Sequence, residues 1–171
     1  MIYSTHLKNS LPDTTSPFST KGLTSPVEIY RDRYGIPRVI AKTMEDAFFG
    51  QGYATSQDRL WHMDYDRHRA YGRWSEMAGP IGVDQDLLMR RFQLKASAVG
   101  DYKMIDSESR SMLDAYTNGV NAFIENTRNL PVEYKLVKQQ PKQWEPWDCL
   151  AVLKVRHILM GTFESKVWRA K

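Results

Sequence analysis

Residues 46–79, DAFFGQGYATSQDRLWHMDYDRHRAYGRWSEMAG, form a long stretch without proline, dense in both aromatic and charged side chains. Such a stretch predicts a central helix or a helix pair. Thr43 stands where a helix start needs a hydroxyl to accept a backbone N–H, and Asp46, three residues on, is placed to reach back in a capping box. Tyr53, Gln57, Leu60, Trp61, Asp64, His68 and Tyr71 recur at spacings of three and four, so one face carries large rings and polar groups together. A buried helix face ordinarily takes Leu, Ile, Val and Ala. Arg59, Asp64, Asp66, Arg67, Arg69, Arg73 and Glu76 therefore require either solvent or paired charges. Gly79-Pro80 supplies a helix stop.

Upstream, residues 1–26 are rich in Ser and Thr and carry Pro12, Pro17 and Pro26, which predicts an irregular arm lying on a larger body. Val27 and Ile29 then alternate with Glu28 and Tyr30, and residues 38–41 form a second β-prone run. The intervening Asp32, Tyr34, Gly35 and Pro37 predict a β-hairpin, with Gly35 free to take a positive φ.

Downstream, residues 83–103 suit a helix opened by Asp84 and Asp86. Asp106 opens another, with Leu113, Tyr116, Val120, Phe123 and Ile124 on one stripe. Asn129-Leu130-Pro131 breaks it, and residues 132–137 predict a short extended segment before a linker at 141–146. Asp148 is the expected cap of a last helix that is apolar nearly all round: Leu150, Ala151, Val152, Leu153, Val155, Ile158 and Leu159. Such a helix is expected to be buried, so Lys154, Arg156 and His157 within it need partners.

The length of 171 residues suffices for a core, and 42% hydrophobic with 26% charged residues is a folded rather than disordered balance. The net charge of +4 is mild, and acids are interspersed with the bases throughout, which argues against a nucleic-acid surface. A single cysteine, Cys149, excludes an internal disulfide. No apolar run approaches the roughly 20 residues of a membrane-spanning helix, so no membrane partner is expected. The first residues lack the basic start and apolar middle of a secretory signal. The expectation is a chain that stays in the cytoplasm or one whose leader has been removed, and Met1 favours the first.

Two pairs at i, i+4, His62 with Asp66 and Asp64 with His68, have the spacing of metal ligands on one helix face. Arg67 and Arg69 crowd the same turn and no third ligand stands out, so a salt-bridged helix surface is the expected arrangement and metal is not. His157 reads either as a hydrogen-bonded core histidine or as a base, and Cys149 as a small buried residue. There is no phosphate-binding glycine loop and no GxSxG elbow. The residues by themselves assemble no catalytic set.

The succession VEIYRDRYGIPRVIAKTMEDAFFGQGYATSQDRLWHMDYDRHRAYGRWSEMAG, residues 27–79, closely resembles the opening of the α chain of the penicillin acylase family of N-terminal-nucleophile hydrolases. It carries RDxYGIP, then DAFFGQGYAxxQDRLWxMD, then GRxSE, a specific order and spacing. Weaker resemblance runs through Asp86, Arg90 and KQWEPWD to the last helix, so that residues 27–171 are covered and only the arm falls outside.

The resemblance implies an α+β fold: a mainly helical α chain of a two-chain αββα sandwich, with a short N-terminal β-hairpin. Residues 1–26 would be the arm and 27–171 the α-chain domain, completed by a separate β chain cut from the same precursor. It implies an amide hydrolase of a small N-acylated substrate such as a β-lactam antibiotic side-chain amide. The nucleophile would be the N-terminal serine of the β chain, exposed by self-cleavage, with its own α-amino group assisting. Members of the family also hydrolyse cephalosporins and acyl-homoserine lactones, and they are often periplasmic or secreted. The alternative is a catalytically silent relative acting as a binding or interaction module. A chain opening Met1-Ile2 offers no such nucleophile, so it is expected to carry no catalytic residue and to be inactive alone. The abrupt end at Lys171 predicts that more α chain or a spacer follows.

What the family's α chain contributes is part of the acyl pocket, through its last helix. Aligning from Trp147-Asp148 places His157 and Met160 there, whereas aligning from the chain end places Arg156, Leu159 and Met160. The resemblance thus implies Met160 first, then His157 and Phe163, as substrate-binding residues. Where relatives use a glutamate to bind calcium, the best-matching position here is Lys166, with Glu164 nearby; an ammonium in the ion's place predicts no calcium, and no other cofactor is expected. In the assembled enzyme Gln57, Asp58, Arg59, Trp61 and Asp64 are expected to be inaccessible.

Overall fold

The computed structural model describes residues 7–161. Strands β1 (Glu28–Arg31) and β2 (Pro37–Ile40) precede α1 (Met44–Ala70), α2 (Ser75–Ala78), a 3-10 turn (Gly79–Gly82), α3 (Val83–Phe92), α4 (Leu94–Met104), α5 (Ser107–Asn126), α6 (Val132–Val137) and α7 (Pro146–Met160). The class is α+β, mostly helical with one short antiparallel hairpin, as expected. Two compact units arise, Met1–Met63 with Ile105–Pro146 and Asp64–Met104 with Trp147–Lys171, and the division falls inside α1.

In the first unit the hairpin pairs Glu28 with Ile40 and Arg31 with Pro37. Asp32 accepts the N–H groups of Tyr34 at 2.8 Å and Ile36 at 3.0 Å, and Gly35 takes φ +79, the turn the sequence called for. The Thr43 hydroxyl accepts the Asp46 N–H at 3.1 Å, half of the expected capping box. The other half is absent. The Asp46 carboxylate turns instead to the arm, accepting from Thr24 N at 2.9 Å, Thr24 Oγ1 at 2.7 Å and Ser25 N at 3.1 Å. Those hydrogen bonds, the one from Thr24 first, hold its carboxyl below the ordinary range.

The arm is fastened further along α1 by Phe18 stacked on Tyr53 at 4.7 Å and by Gln57 Nε2 donating to Asp13 O at 3.0 Å. Helices α1 and α5 approach backbone to backbone. A Cβ on Gly52 would fall well inside contact distance of the Tyr116 carbonyl, and one on Gly119 would do the same at the Phe49 carbonyl. Around this approach Leu60, Phe123 and Tyr134 form a core, with Tyr53 edge-on to Phe123 and Trp61 edge-on to Tyr134. Burial of Tyr134 also corrects the extended segment expected over residues 132–137: Pro131 starts a helical turn there, and the turn aims the ring inward.

In the second unit α1 ends at Ala70, before the stop expected at Gly79. Gly72 takes φ +60, Arg73 N donates to His68 O at 2.8 Å and Gly72 N to Arg69 O at 3.1 Å, the two bonds of a Schellman cap. Gly79 then closes α2, so the helix pair is real but its joint lies at Gly72. Asp86 holds the start of α2 by accepting Trp74 N at 2.7 Å and Ser75 N at 2.8 Å. Residues 83–103, expected as one helix, are divided where Gln93 turns left-handed at φ 51. Ala70, Met89, Leu94, Ala98, Ala151 and Val155 form this unit's core.

Gly119→Ala is expected to lower unfolding free energy by about 1–3 kcal/mol or more, because backbone must move to admit one methyl. Gly100→Ala, in a helix and with nothing within 4 Å, is expected to raise it by about 0.5–1 kcal/mol. Urea unfolding of the two variants checks both signs.

Candidate functional site

Pro146 opens α7, a position where its missing N–H is no loss. Asp148, the expected cap, does other work. Its carboxylate accepts Arg67 Nη1 at 3.1 Å and the Tyr71 hydroxyl. On its other side Arg67 donates through Nε at 3.0 Å and Nη2 at 2.6 Å to Asp64 Oδ1. Asp64, Arg67 and Asp148 are 1%, 6% and 2% exposed, so two carboxylates share one guanidinium away from water. Burial alone would raise the Asp64 carboxyl, but the hydrogen bond from His68 and the charge of Arg67 hold it below its usual value. Burial likewise opposes the charge on Arg67, and the two carboxylates overcome it.

Beside this cluster Asp66 accepts Arg156 Nε at 2.7 Å and Nη2 at 2.6 Å, and Lys154 Nζ meets Asp101 at 2.6 Å. Two of the partners that the polar residues of the last helix required are thereby identified. Of the two i, i+4 pairs, Asp64 and His68 lie 3.4 Å apart and buried, and Asp66 is buried against Arg156, whereas His62 is exposed on the helix surface. Among the described residues no three His, Cys, Asp or Glu side chains gather as metal ligands. His68 Nδ1 lies 2.8 Å from Asp64 O and His157 Nδ1 3.4 Å from Leu153 O, so both rings face backbone carbonyls of their own helices.

The last helix is not buried all round. Asp148, Ala151 and Val155 face inward at helical spacing, while Leu153, His157 and Met160, at i, i+4 and i+7, share an exposed stripe. Met160 is 80% exposed and Leu153 56%. The two leading sequence candidates, Met160 and His157, thus stand together, with Leu153 as a neighbour that the sequence did not single out. Arg156, the candidate of the other register, turns to Asp66 instead. Leu159 is exposed beside the stripe. Phe163, Glu164 and Lys166 lie outside the described residues. Of the positions expected to be hidden, Asp64 is buried within the chain, Gln57 and Trp61 are partly buried, and Asp58 and Arg59 are exposed. Arg31 bridges Asp58 and Gln57 at 3.0 Å each. Chemically the stripe is an apolar wall with one imidazole in it, suited to contact rather than to bond cleavage.

The sequence profile of the penicillin amidase family matches residues 26–171. The chain is 37% identical over 163 residues to penicillin acylase 2 proenzyme of Pseudomonas sp., covering 95% of this chain and 21% of that protein. It is 34% identical over 145 residues to the acyl-homoserine lactone acylase QuiP of Pseudomonas aeruginosa, covering 84% of this chain and 17% of the relative. Among solved structures a thermostable penicillin G acylase from Alcaligenes faecalis matches with TM-score 0.68 and 31% identity, over 74% of this chain and 69% of that one. The chain therefore spans about a fifth of the length of the full-length relatives it matches.

Two outcomes follow from the buried cluster. Arg67→Ala leaves two buried carboxylates without their common partner and is expected to cost about 3–5 kcal/mol in denaturant unfolding. The carboxyls of Asp64 and Asp86 are held below 3.8 when folded. On acidification the unfolded chain therefore binds protons first, so their stabilisation is full above about pH 4 and lost as pH falls further. Melting temperature measured from pH 7 to pH 3 is expected to drop below about pH 4, and less steeply in Asp86→Asn.

Proposed function

The chain belongs to the penicillin amidase family, and on that premise we propose that it is the α-chain part of an amide hydrolase acting on a small N-acylated substrate. The observation that carries the reading is the family match over residues 26–171, joined to a helical fold like that of a penicillin G acylase. The arm and the α-chain domain of residues 27–171 are completed by a β chain from the same precursor. A match to a fifth of a proenzyme supports that division.

In the proposed reaction the β chain's N-terminal serine attacks the amide carbonyl. Its own α-amino group, directly or through a water, takes the hydroxyl proton. The acyl group passes to the serine oxygen, the amine leaves with a proton, and water releases the acid. Backbone and side-chain donors of the β chain hold the oxyanion. The present chain lines the acyl side of the pocket, with Met160 and His157 on the exposed stripe of α7 and Phe163 beyond it. That stripe's apolar character suits an acyl chain or an aromatic acyl group. Relatives named for penicillins and for acyl-homoserine lactones share an N-acyl amine, and this is the substrate class proposed.

Mass spectrometry of the purified full-length protein is expected to find a second, larger chain beginning with serine. A partner chain beginning with a residue that is not Ser, Thr or Cys would instead support the silent, binding-module reading. On chromogenic amides that differ only in the acyl group, Met160→Ala is expected to shift the ratio of kcat/KM between acyl groups by about tenfold, on the order of 1.4 kcal/mol of pocket contact.

A further inference from the structure

We infer that Asp66, acting through Arg156, is a positioning residue for acyl selectivity; the inference rests on the proposed acyl pocket at the end of α7. The geometry of α7 is the argument. Its start is pinned by Asp148 to Arg67, and its middle by Lys154 to Asp101. Its third and last described side-chain ion pair is Arg156 with Asp66, eight residues beyond Asp148 and so about 12 Å along the axis. Past Arg156 the helix continues with His157, Ile158, Leu159 and Met160, of which only His157 carries a polar side chain, and its described contact is a 3.4 Å approach to its own helix. Arg156 is therefore the last described ionic anchor before the two candidate pocket residues. His157 is its immediate neighbour, and Met160 stands one helical turn further on.

The pair is built for holding rather than for solvation. Asp66 is 3% exposed, and both Nε and Nη2 of Arg156 converge on its Oδ2 at 2.7 and 2.6 Å. A guanidinium approaching through two nitrogens fixes direction as well as distance, which a lysine ammonium at the same place does not. The Arg156 side chain is itself 41% exposed. It thus runs from a buried carboxylate out to the rim on which His157 and Met160 are presented. A shift of that last turn would move both candidates together relative to whatever lies across the pocket. Acyl-side contacts would change, and the reaction centre on the other chain would not.

The test uses the full-length mature protein and two series of chromogenic amides, one varying only the acyl group and one only the amine. Arg156→Lys keeps the charge and loses the fork. It is expected to raise KM for the preferred acyl group on the order of tenfold with kcat changed little, and to narrow discrimination across the acyl series. Discrimination across the amine series should stay unchanged. Asp66→Asn, which removes the buried carboxylate charge and leaves Arg156 in place, is expected to narrow the acyl series as Arg156→Lys does and to leave the amine series unchanged. It also provides the readout if the Arg156 variant folds poorly. Unchanged acyl discrimination in either variant when folded overturns the inference, as does an equal loss across both series. A wild-type protein that cleaves no amide in either series overturns the proposed function and the inference with it, whereas an active wild type with any of the former results overturns the inference alone.

Discussion

Helix α1 carries Asp46, Asp64, Asp66, Arg67 and His68 at positions that the fold takes out of water, and a charge moved there must find an opposite charge or a set of donors. Asp46, Asp66 and Arg67 find partners far away in sequence, while Asp64 meets Arg67 and His68 on its own helix. Asp46 gathers Thr24 and Ser25 of the arm; Arg67 draws in Asp148; Asp66 draws in Arg156. Within the second unit this fixes which face of α7 turns inward. The inward stripe of Asp148, Ala151 and Val155 follows, and so does the outward stripe of Leu153, His157 and Met160.

The first unit depends on shape more than on charge. Gly52 and Gly119 let two backbones touch, and the aromatic rings close around that contact: Phe18 on Tyr53, Tyr53 against Phe123, and Trp61 against Tyr134. Outward-facing apolar side chains remain in both units, among them Tyr30, Ile36 and Ile40 of the hairpin region and Ile81, Leu87 and Met104 beyond α1. Alongside the proposed β chain, such residues are what a subunit completed by another chain would present, since apolar area in contact with a partner need not be satisfied internally.

Much of the local structure was legible because short-range chemistry sets it. The hairpin follows from Asp32 and Gly35, the start of α1 from Thr43, and the start of α5 from Asp106, whose carboxylate accepts the Ser109 N–H at 2.9 Å. Where the reading and the structure part, a long-range partner has outbid a local one. Asp46 and Asp148 are good helix-start acids, yet each spends its carboxylate on a distant group. The Gly72 cap is hidden inside a stretch that reads as continuous helix, because its second demand, space for Arg90 and the Asp86 carbonyl, lies elsewhere in the chain.

Sequence alone thus determined the hairpin, the starts of α1 and α5, the requirement that the charges of α1 be paired, the family resemblance, and Met160 and His157 as candidates on the last helix. Tertiary structure decided which acid meets which base, that Arg156 turns to Asp66 while His157 and Met160 share the open stripe with Leu153, and that α7 buries one face rather than all. The division has a physical origin. Turn, cap and periodicity signals act over a few residues and are written in neighbouring side chains, whereas the partner of a buried charge is set by which groups the folded chain brings within about 3 Å.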